Sequence, residues 1–342
     1  MSRVLVAMSG GVDSSVAAAL MRDQGHEVTG VTLKLWGGDS NSGCCSVSDV
    51  EDARRVAAQL DVPHYVFNFA DEFDANVVDP YVAAYAAGRT PNPCIECNRS
   101  MKWGRLLDRA RTMGFDAVAT GHHARITYSA EGSVELRRGE DPAKDQSYVL
   151  AVLDQSALAM TLLPVGEMTK ADVRAHAQRL GLRTATKAES MDVCFITRGG
   201  RKNFLDARIA PTSGEIVDTA GSVVGSHDGV RGFTIGQRRG LAVATGERRY
   251  VVDVDATTAT VTLGERRDLL RDEIELTRLT VTGSPIAPGA NVLAQVRSHG
   301  AAHPAVWLGD VLRWHTPQPR VAPGQTVAMF DGDRVLGSGI VA

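Results

Sequence analysis

Val4-Leu5-Val6-Ala7-Met8-Ser9-Gly10-Gly11-Val12-Asp13-Ser14-Ser15 passes from five apolar residues through a glycine pair into a run of hydroxyls. The apolar run, broken at Ser9-Gly10-Gly11, predicts a short strand; Val16, Leu20 and Met21 then continue a helix that Gly25 closes. Strand, glycine turn and helix start are the parts of an anion site. Glycine lets the backbone approach phosphate oxygens closely, and the N–H groups of a helix start, with the hydroxyls of Ser9, Ser14 and Ser15, can donate to them. No Gly-Lys-Ser/Thr ending follows, so γ-phosphate transfer of the P-loop kind is disfavoured. Asp13, the acidic member of the turn, reads equally as a group that positions Mg²⁺ or orients the loop and as a helix N-cap.

Outward from this turn, short apolar runs alternate with helical patterns to about residue 197, which predicts α/β architecture with a parallel sheet. Candidate strands are residues 4–8, 28–35, 64–69 and 116–120. Ser48-Asp49-Val50-Glu51 reads as a capping box, with Val50, Ala53, Val56, Ala57 and Leu60 on one helical face. Further helices are expected over 101–113 and from Thr169 to a stop at Gly181. Beyond Arg198 the texture changes to β-branched segments punctuated by glycine. The expected organisation is a catalytic α/β domain over 1–197, a small β-rich domain over 198–270 and a C-terminal β-barrel of about six short strands over 271–342.

The 342 residues are 44% hydrophobic, 23% charged and 5% aromatic, enough for two or three cores and unlike a disordered chain. No apolar run approaches the roughly 18–20 residues that span a bilayer, and no signal-peptide pattern is present, so a cytoplasmic protein with no membrane partner is expected. Five cysteines, an odd number, fit thiol or metal chemistry better than a disulfide framework. The net charge of −3 does not advertise a nucleic-acid partner. From Arg198 onward Lys+Arg number 17 against 15 Asp+Glu, leaving 20 against 25 before it, a weak asymmetry.

Two cysteines lie in Thr90-Pro91-Asn92-Pro93-Cys94-Ile95-Glu96-Cys97-Asn98, where the prolines predict a stiff loop exposing both thiols. A third is Cys194, in Asp192-Val193-Cys194-Phe195-Ile196. Cys44 and Cys45 read as packed thiols, since adjacent cysteines are strained as a mutual disulfide. Cys-x-x-Cys alone serves zinc, redox couples and iron–sulfur clusters alike, and a closed zinc site would need Cys194 and one of His122 or His123 to join it.

In its strand-loop-helix setting, Ser9-Gly10-Gly11-Val12-Asp13-Ser14 resembles the pyrophosphate loop of the N-type ATP pyrophosphatases, which attack the α-phosphate and leave AMP on a substrate oxygen. Together with 90–98 and 192–196 it resembles the tRNA-specific 2-thiouridylases over nearly the full length. Thr120-Gly121-His122-His123-Ala124-Arg125, Lys144-Asp145-Gln146-Ser147-Tyr148, Phe233-Thr234-Ile235-Gly236-Gln237-Arg238-Arg239-Gly240-Leu241 and Pro323-Gly324-Gln325 also match. The resemblance implies ATP-dependent 2-thiolation of the wobble uridine of tRNA. Cys194 would receive sulfur as a persulfide from an upstream donor, a cysteine desulfurase or relay protein, and Cys97 would be its partner thiol.

The resemblance further implies that Ala7, Met8, Ser9, Gly10, Gly11, Val12, Asp13, Ser14, Leu33 and Gly121 hold ATP with Mg²⁺. His122, Lys144, Asp145, Gln146, Arg297, Ser298 and Gln325 would meet tRNA. By themselves, Leu33 reads as core, His122 as a satisfied loop residue and Lys144-Asp145-Gln146 as a solvated helix start. One departure stands out: Cys94 occupies the position, three before the first catalytic cysteine, where an aspartate is familiar. It opens an alternative in which Cys94, Cys97 and Cys194 hold three irons of a [4Fe–4S] cluster whose fourth iron binds hydrosulfide. An NAD or GMP synthetase would share the loop, but no glutaminase region is evident and the cysteines would be idle.

Overall fold

A computed structural model of the chain describes residues 1–36, 46–188, 193–196, 200–241, 243 and 247–342. Cys44 and Cys45 lie outside the described residues. Strands β1 (Arg3–Ala7), β2 (Glu27–Lys34), β3 (His64–Asn68) and β4 (Ala117–Ala119) form in the expected places. After the hairpin β5 (Ala124–Tyr128) and β6 (Val134–Arg138), a short β7 (Thr161–Leu162) completes a parallel sheet in the order β3-β2-β1-β4-β7. β1 is central and covered on both faces, which is why Val4, Leu5 and Val6 are all apolar and fully buried. Leu5 joins the core on one side of the sheet, and Val4 and Val6 join that on the other.

Helix α1 (Val12–Asp23) lies on β1 through Val16, Ala17, Ala18 and Ala19, all fully buried, and ends where Gly25 takes φ +81°. The small side chains let the helix axis approach the strand closely. Helix α2 (Val47–Gln59) does have a capping box, but it is Ser46 with Asp49 rather than Ser48 with Glu51. Both pairs satisfy the three-residue spacing, and the helix begins two residues earlier than the sequence reading placed it. The 169–172 box forms as read, with the helix running Lys170–Arg179.

Residues 93–112 depart further from expectation. The proline-stiffened segment is the start of a helix: Asn92 caps Cys94 N at 3.1 Å, Pro93 sits in the first turn, where it gives up no helical hydrogen bond, and a π-helical stretch Cys97–Leu106 continues to Leu107–Thr112. Cys97 is therefore buried and Cys94 half-buried, not exposed.

Beyond residue 200, β8 (Gly214–Asp218), β9 (Val223–His227), β10 (Tyr250–Asp255) and β11 (Thr260–Gly264) make a sheet in the order β10-β11-β8-β9. The last six strands are β12 (Leu270–Val281), β13 (Asn291–Gln295), β14 (Ala302–Trp307), β15 (Val311–Pro319), β16 (Thr326–Asp331) and β17 (Arg334–Val341). Their order is β12-β15-β14-β13-β16-β17, and β12 pairs with β17 to close a six-stranded antiparallel barrel. Sequence reading omits β15, whose Pro317 and Pro319 argue against a strand. It also omits the β5–β6 hairpin, whose Arg125, Glu135 and Arg137 dilute the apolar alternation. This hairpin, from the first 200 residues, extends the barrel sheet through Arg137 opposite Arg334.

Candidate active site

The chain adds β2 and β3 on one side of β1, then β4 and β7 on the other. Loops leaving the carboxyl ends of β1 and β4 therefore diverge, and a crevice opens where the strand order reverses. Residues 8–11 form one wall and Thr120-Gly121-His122-His123 the other. They touch: a Cβ on Gly121 would lie 2.6 Å from Asp13 C and from Ser14 N.

The β1 loop is held from several directions. Met8 N donates to Val31 O at 2.8 Å and Thr32 Oγ1 donates to Met8 O at 2.7 Å, fixing the point at which the loop leaves the sheet. Gly10 takes φ +74°, and a Cβ there would meet Asp49 O at 2.2 Å, so only glycine fits. Ser9 N donates to Ser14 Oγ at 3.1 Å, while Ser14 Oγ and Ser15 Oγ donate to Gly11 O at 3.1 and 2.8 Å. Gly11 is the N-cap of α1 and Val12 its buried first residue. The arrangement aims the start of α1 into the crevice, where helix N–H groups and dipole favour an anion.

Asp13 is not the N-cap. Its carboxylate accepts from Lys170 Nζ at 2.7 Å to both oxygens and lies 3.2 Å from His123 Nε2. Burial would raise its pKa, but His123 and Lys170 outweigh it and hold the carboxyl below the usual carboxylate range. Behind the loop, Lys187 Nζ donates to Gly10 O at 3.0 Å and to Asp49 and Asp52 at 2.7 Å each. Sequence reading singled out neither Lys170, read only as part of a helix start, nor Lys187; no local pattern marks a lysine that reaches a loop more than 150 positions away.

The segment around Cys194 lies at the same end of the sheet. Cys97, Leu33 and Phe195 belong to one core cluster, against which Ala7, Trp36, Val193 and Cys194 pack. Trp36, two residues past β2, stands 6.1 Å from the Phe195 ring. Phe195 also packs edge-on to Tyr81 at 5.4 Å. Cys94, Cys97 and Cys194 form no disulfide. Among the described residues no three Cys, His, Asp or Glu side chains gather to hold a metal, so the donor set does not fit a [4Fe–4S] cluster.

The residues expected to meet tRNA divide. His122 is buried, with Nδ1 2.7 Å from Thr120 Oγ1, Nε2 3.3 Å from Lys102 Nζ and its ring against Trp103, so it presents no surface to RNA as folded. Asp145 is also buried, its carboxylate consumed by Arg138, Gly139 N, Ser147 N and Ser147 Oγ. Gln146 Oε1 accepts from His123 N at 2.9 Å, and Gln325 Nε2 donates to Thr90 O. These residues join parts of the protein to each other. Lys144 is half-exposed, and Ser298 lines a cleft of about 300 Å³ with Arg138, Ala143, Asp145, Gln295 and His299. Gln295 shapes that wall by donating to Arg297 O and Ser298 O at 2.9 and 3.1 Å.

A parallel sheet with a serine-glycine loop at its switch point, a core on one side of it that takes in Cys97 and packs against Cys194, and a closed barrel after it define an ATP-pyrophosphatase-type α/β enzyme with appended β modules. Family comparison matches residues 2–198 to the tRNA methyl transferase HUP domain, 202–265 to the tRNA methyl transferase PRC-barrel domain and 271–341 to the aminomethyltransferase beta-barrel domain. The tRNA-specific 2-thiouridylase MnmA of Mycolicibacterium paratuberculosis is 48% identical, covering 99% of each chain. That of Streptomyces avermitilis is 45% identical over 99% of this chain and 94% of its own. The solved U34-tRNA thiolase NcsA from Methanococcus maripaludis with its [4Fe-4S] cluster overlaps 60% of this chain and 64% of its own at 15% identity and TM-score 0.39, too distant to carry an argument. The chain belongs to the tRNA-specific 2-thiouridylase family.

Proposed function

We propose that this sulfurtransferase thiolates carbon 2 of the wobble uridine of tRNA in two chemical stages. In the first, the uracil O2 attacks the α-phosphorus of ATP; the new P–O bond forms as the α–β bond breaks and pyrophosphate leaves. An amide-like carbonyl oxygen is a poor leaving group, and AMP is a good one. In the second, the terminal sulfur of a Cys194 persulfide attacks carbon 2 and expels AMP. Cys97 thiolate then attacks Cys194 Sγ, the S–S bond to the transferred sulfur breaks, and the 2-thiouridine departs, leaving a Cys97–Cys194 disulfide for a cellular thiol reductant to reopen.

The observation that supports this reading is that Cys97 belongs to, and Cys194 and Ala7 pack against, one core on the same side of the sheet, with Phe195 beside Trp36 just past β2. Ser9 to Ser14 would cradle the phosphates, with Ala7, Leu33 and Gly121 bordering the nucleotide. Mg²⁺ would travel with the triphosphate. Asp13, engaged by Lys170 and His123, serves to orient the loop. Residues 1–197 would do the chemistry, while 198–270 and the barrel of 271–342 clasp the tRNA, with Lys144, Arg297 and Ser298 meeting its backbone. A cysteine desulfurase or relay protein would charge Cys194, which is half-exposed, in a reducing cytoplasm.

Mass spectrometry of anticodon nucleosides after reaction with ATP, Mg²⁺, unmodified tRNA, a thiol reductant and a cysteine desulfurase with cysteine, which delivers the persulfide sulfur to Cys194, tests the reading. We expect a 2-thiouridine product that is absent without ATP and absent with Cys97→Ser or Cys194→Ser, both variants still binding tRNA. Failure of labelled pyrophosphate to exchange into ATP in the presence of tRNA would exclude the adenylation stage.

A further inference from the structure

Two arginines distant in sequence meet at Glu96, on the helix that carries Cys97. Arg99 lies two positions after that cysteine in the π-helical stretch, and Arg278 lies on β12 of the barrel. Arg99 Nε is 3.9 Å and Arg278 Nη2 is 3.6 Å from the same oxygen, Glu96 Oε2, and neither is within hydrogen-bond reach of it. Arg99 Nε and Nη2 are shielded from solvent and have no hydrogen-bond partner. One carboxylate thus faces two guanidiniums, leaving a positive charge and two buried donors unmatched.

Arg278 adds a second, independent observation. It takes φ +47°, in the left-handed region that a side chain ordinarily avoids, at the irregularity between Thr277 and Thr280 where β12 pairs with β17. Such strain costs on the order of 1–3 kcal/mol and concentrates at ligand clamps. Its side chain is 57% exposed, and its strand neighbours Leu279 and Val281 are exposed apolar residues.

Resting on the tRNA reading above, we propose that Arg99 and Arg278 form a clamp for one phosphodiester of the anticodon loop, at the joint between the barrel and the helix that carries Cys97. The guanidinium fork matches a phosphate's paired oxygens, and the phosphate takes the position between the two forks that Glu96 now holds. The ligand is the RNA backbone and not the ATP triphosphate, because ATP has its own donors at the β1 loop while Arg278 belongs to the barrel wall. The clamp closes only when barrel and helix 93–112 are held together, so it tells the catalytic residues that tRNA is seated.

The test is direct binding of unmodified tRNA to the full chain over a range of salt concentrations, with ATP binding measured alongside. Arg278→Ala should weaken tRNA binding about tenfold and make the log K against log [salt] slope shallower by about one, with ATP affinity unchanged. Arg278→Lys should restore the slope but not the affinity, since it keeps the charge and loses the fork. Glu96→Gln, which removes the competing carboxylate, should tighten tRNA binding by about threefold. An unchanged slope in Arg278→Ala, or a loss of ATP affinity equal to the loss of tRNA affinity, would overturn the clamp alone. A wild-type chain that shows no salt-dependent tRNA binding would overturn the clamp and the proposed function together.

Discussion

Gly121 shows how little space the β4 loop leaves for the anion loop it supports. Its φ is not in the left-handed region, so alanine is conformationally acceptable there. Yet the added methyl would fall 2.6 Å from the backbone of Asp13 and Ser14. Gly121→Ala should therefore keep the fold and raise the KM for ATP at least tenfold, read by pyrophosphate exchange; an unchanged KM would mean that the loop does not hold the phosphates. The histidines give a second prediction. Burial first, then the Lys102 charge, hold His122 well below its ordinary value, and burial likewise lowers His64 and His227. The unfolded chain binds these protons at about pH 6.5 and the folded chain does not, so the stability they contribute is present above that pH and lost as pH falls below it. Urea unfolding from pH 7.5 to 5.5 should show a falling stability whose slope His122→Asn makes shallower.

At the scale of elements, the anion loop is positioned by pieces distant in sequence. Lys187 follows a 3₁₀ turn and ties Gly10 to α2 through Asp49 and Asp52. Burial would lower its pKa, but the two carboxylates outweigh burial and raise it, so the lysine is charged at neutral pH. Lys187→Met leaves two carboxylates facing each other behind the loop. We expect about 1–3 kcal/mol lost in urea unfolding and a KM for ATP raised several-fold; Lys187→Arg should recover most of the stability. The helix of residues 93–112 makes the opposite point. Two prolines made it look like a loop, although Pro93 at a helix start is favourable. What prolongs it is packing: Ile95, Cys97, Met101, Trp103 and Leu106 are buried against the sheet core.

At the scale of the whole molecule, hydrogen bonds and ion pairs join the barrel to the α/β region at several places. Asp333 accepts from Arg125 at 2.9 Å and Arg137 at 2.7 Å, while Arg138 lies over the Phe330 ring at 3.8 Å and donates to Gln295. On another face Gln325 donates to Thr90 O, and Thr90 N donates to Pro323 O at 2.8 Å. Gln325→Ala combined with Asp333→Ala should leave the barrel folded but loosen its docking. Proteolysis between the two parts should accelerate several-fold while ATP binding persists. Equal protease resistance would show that the remaining contacts suffice.

The α/β class, the places of β1 to β4, the barrel and the anion loop could all be read from sequence, because each is written in contiguous residues: an apolar run, a glycine pair, a cap, a hydrophobic period. The roles expected of Cys97 and Cys194 came from the family resemblance carried by 90–98 and 192–196, since Cys-x-x-Cys by itself is ambiguous. Only the folded chain decided that His122, Asp145, Gln146 and Gln325 spend their hydrogen bonds inside the protein, that Lys170 and Lys187 reach the loop, and that Arg99 and Arg278 meet at Glu96. Polar partners are chosen by proximity and desolvation, quantities that exist only once 342 residues have been folded onto one another.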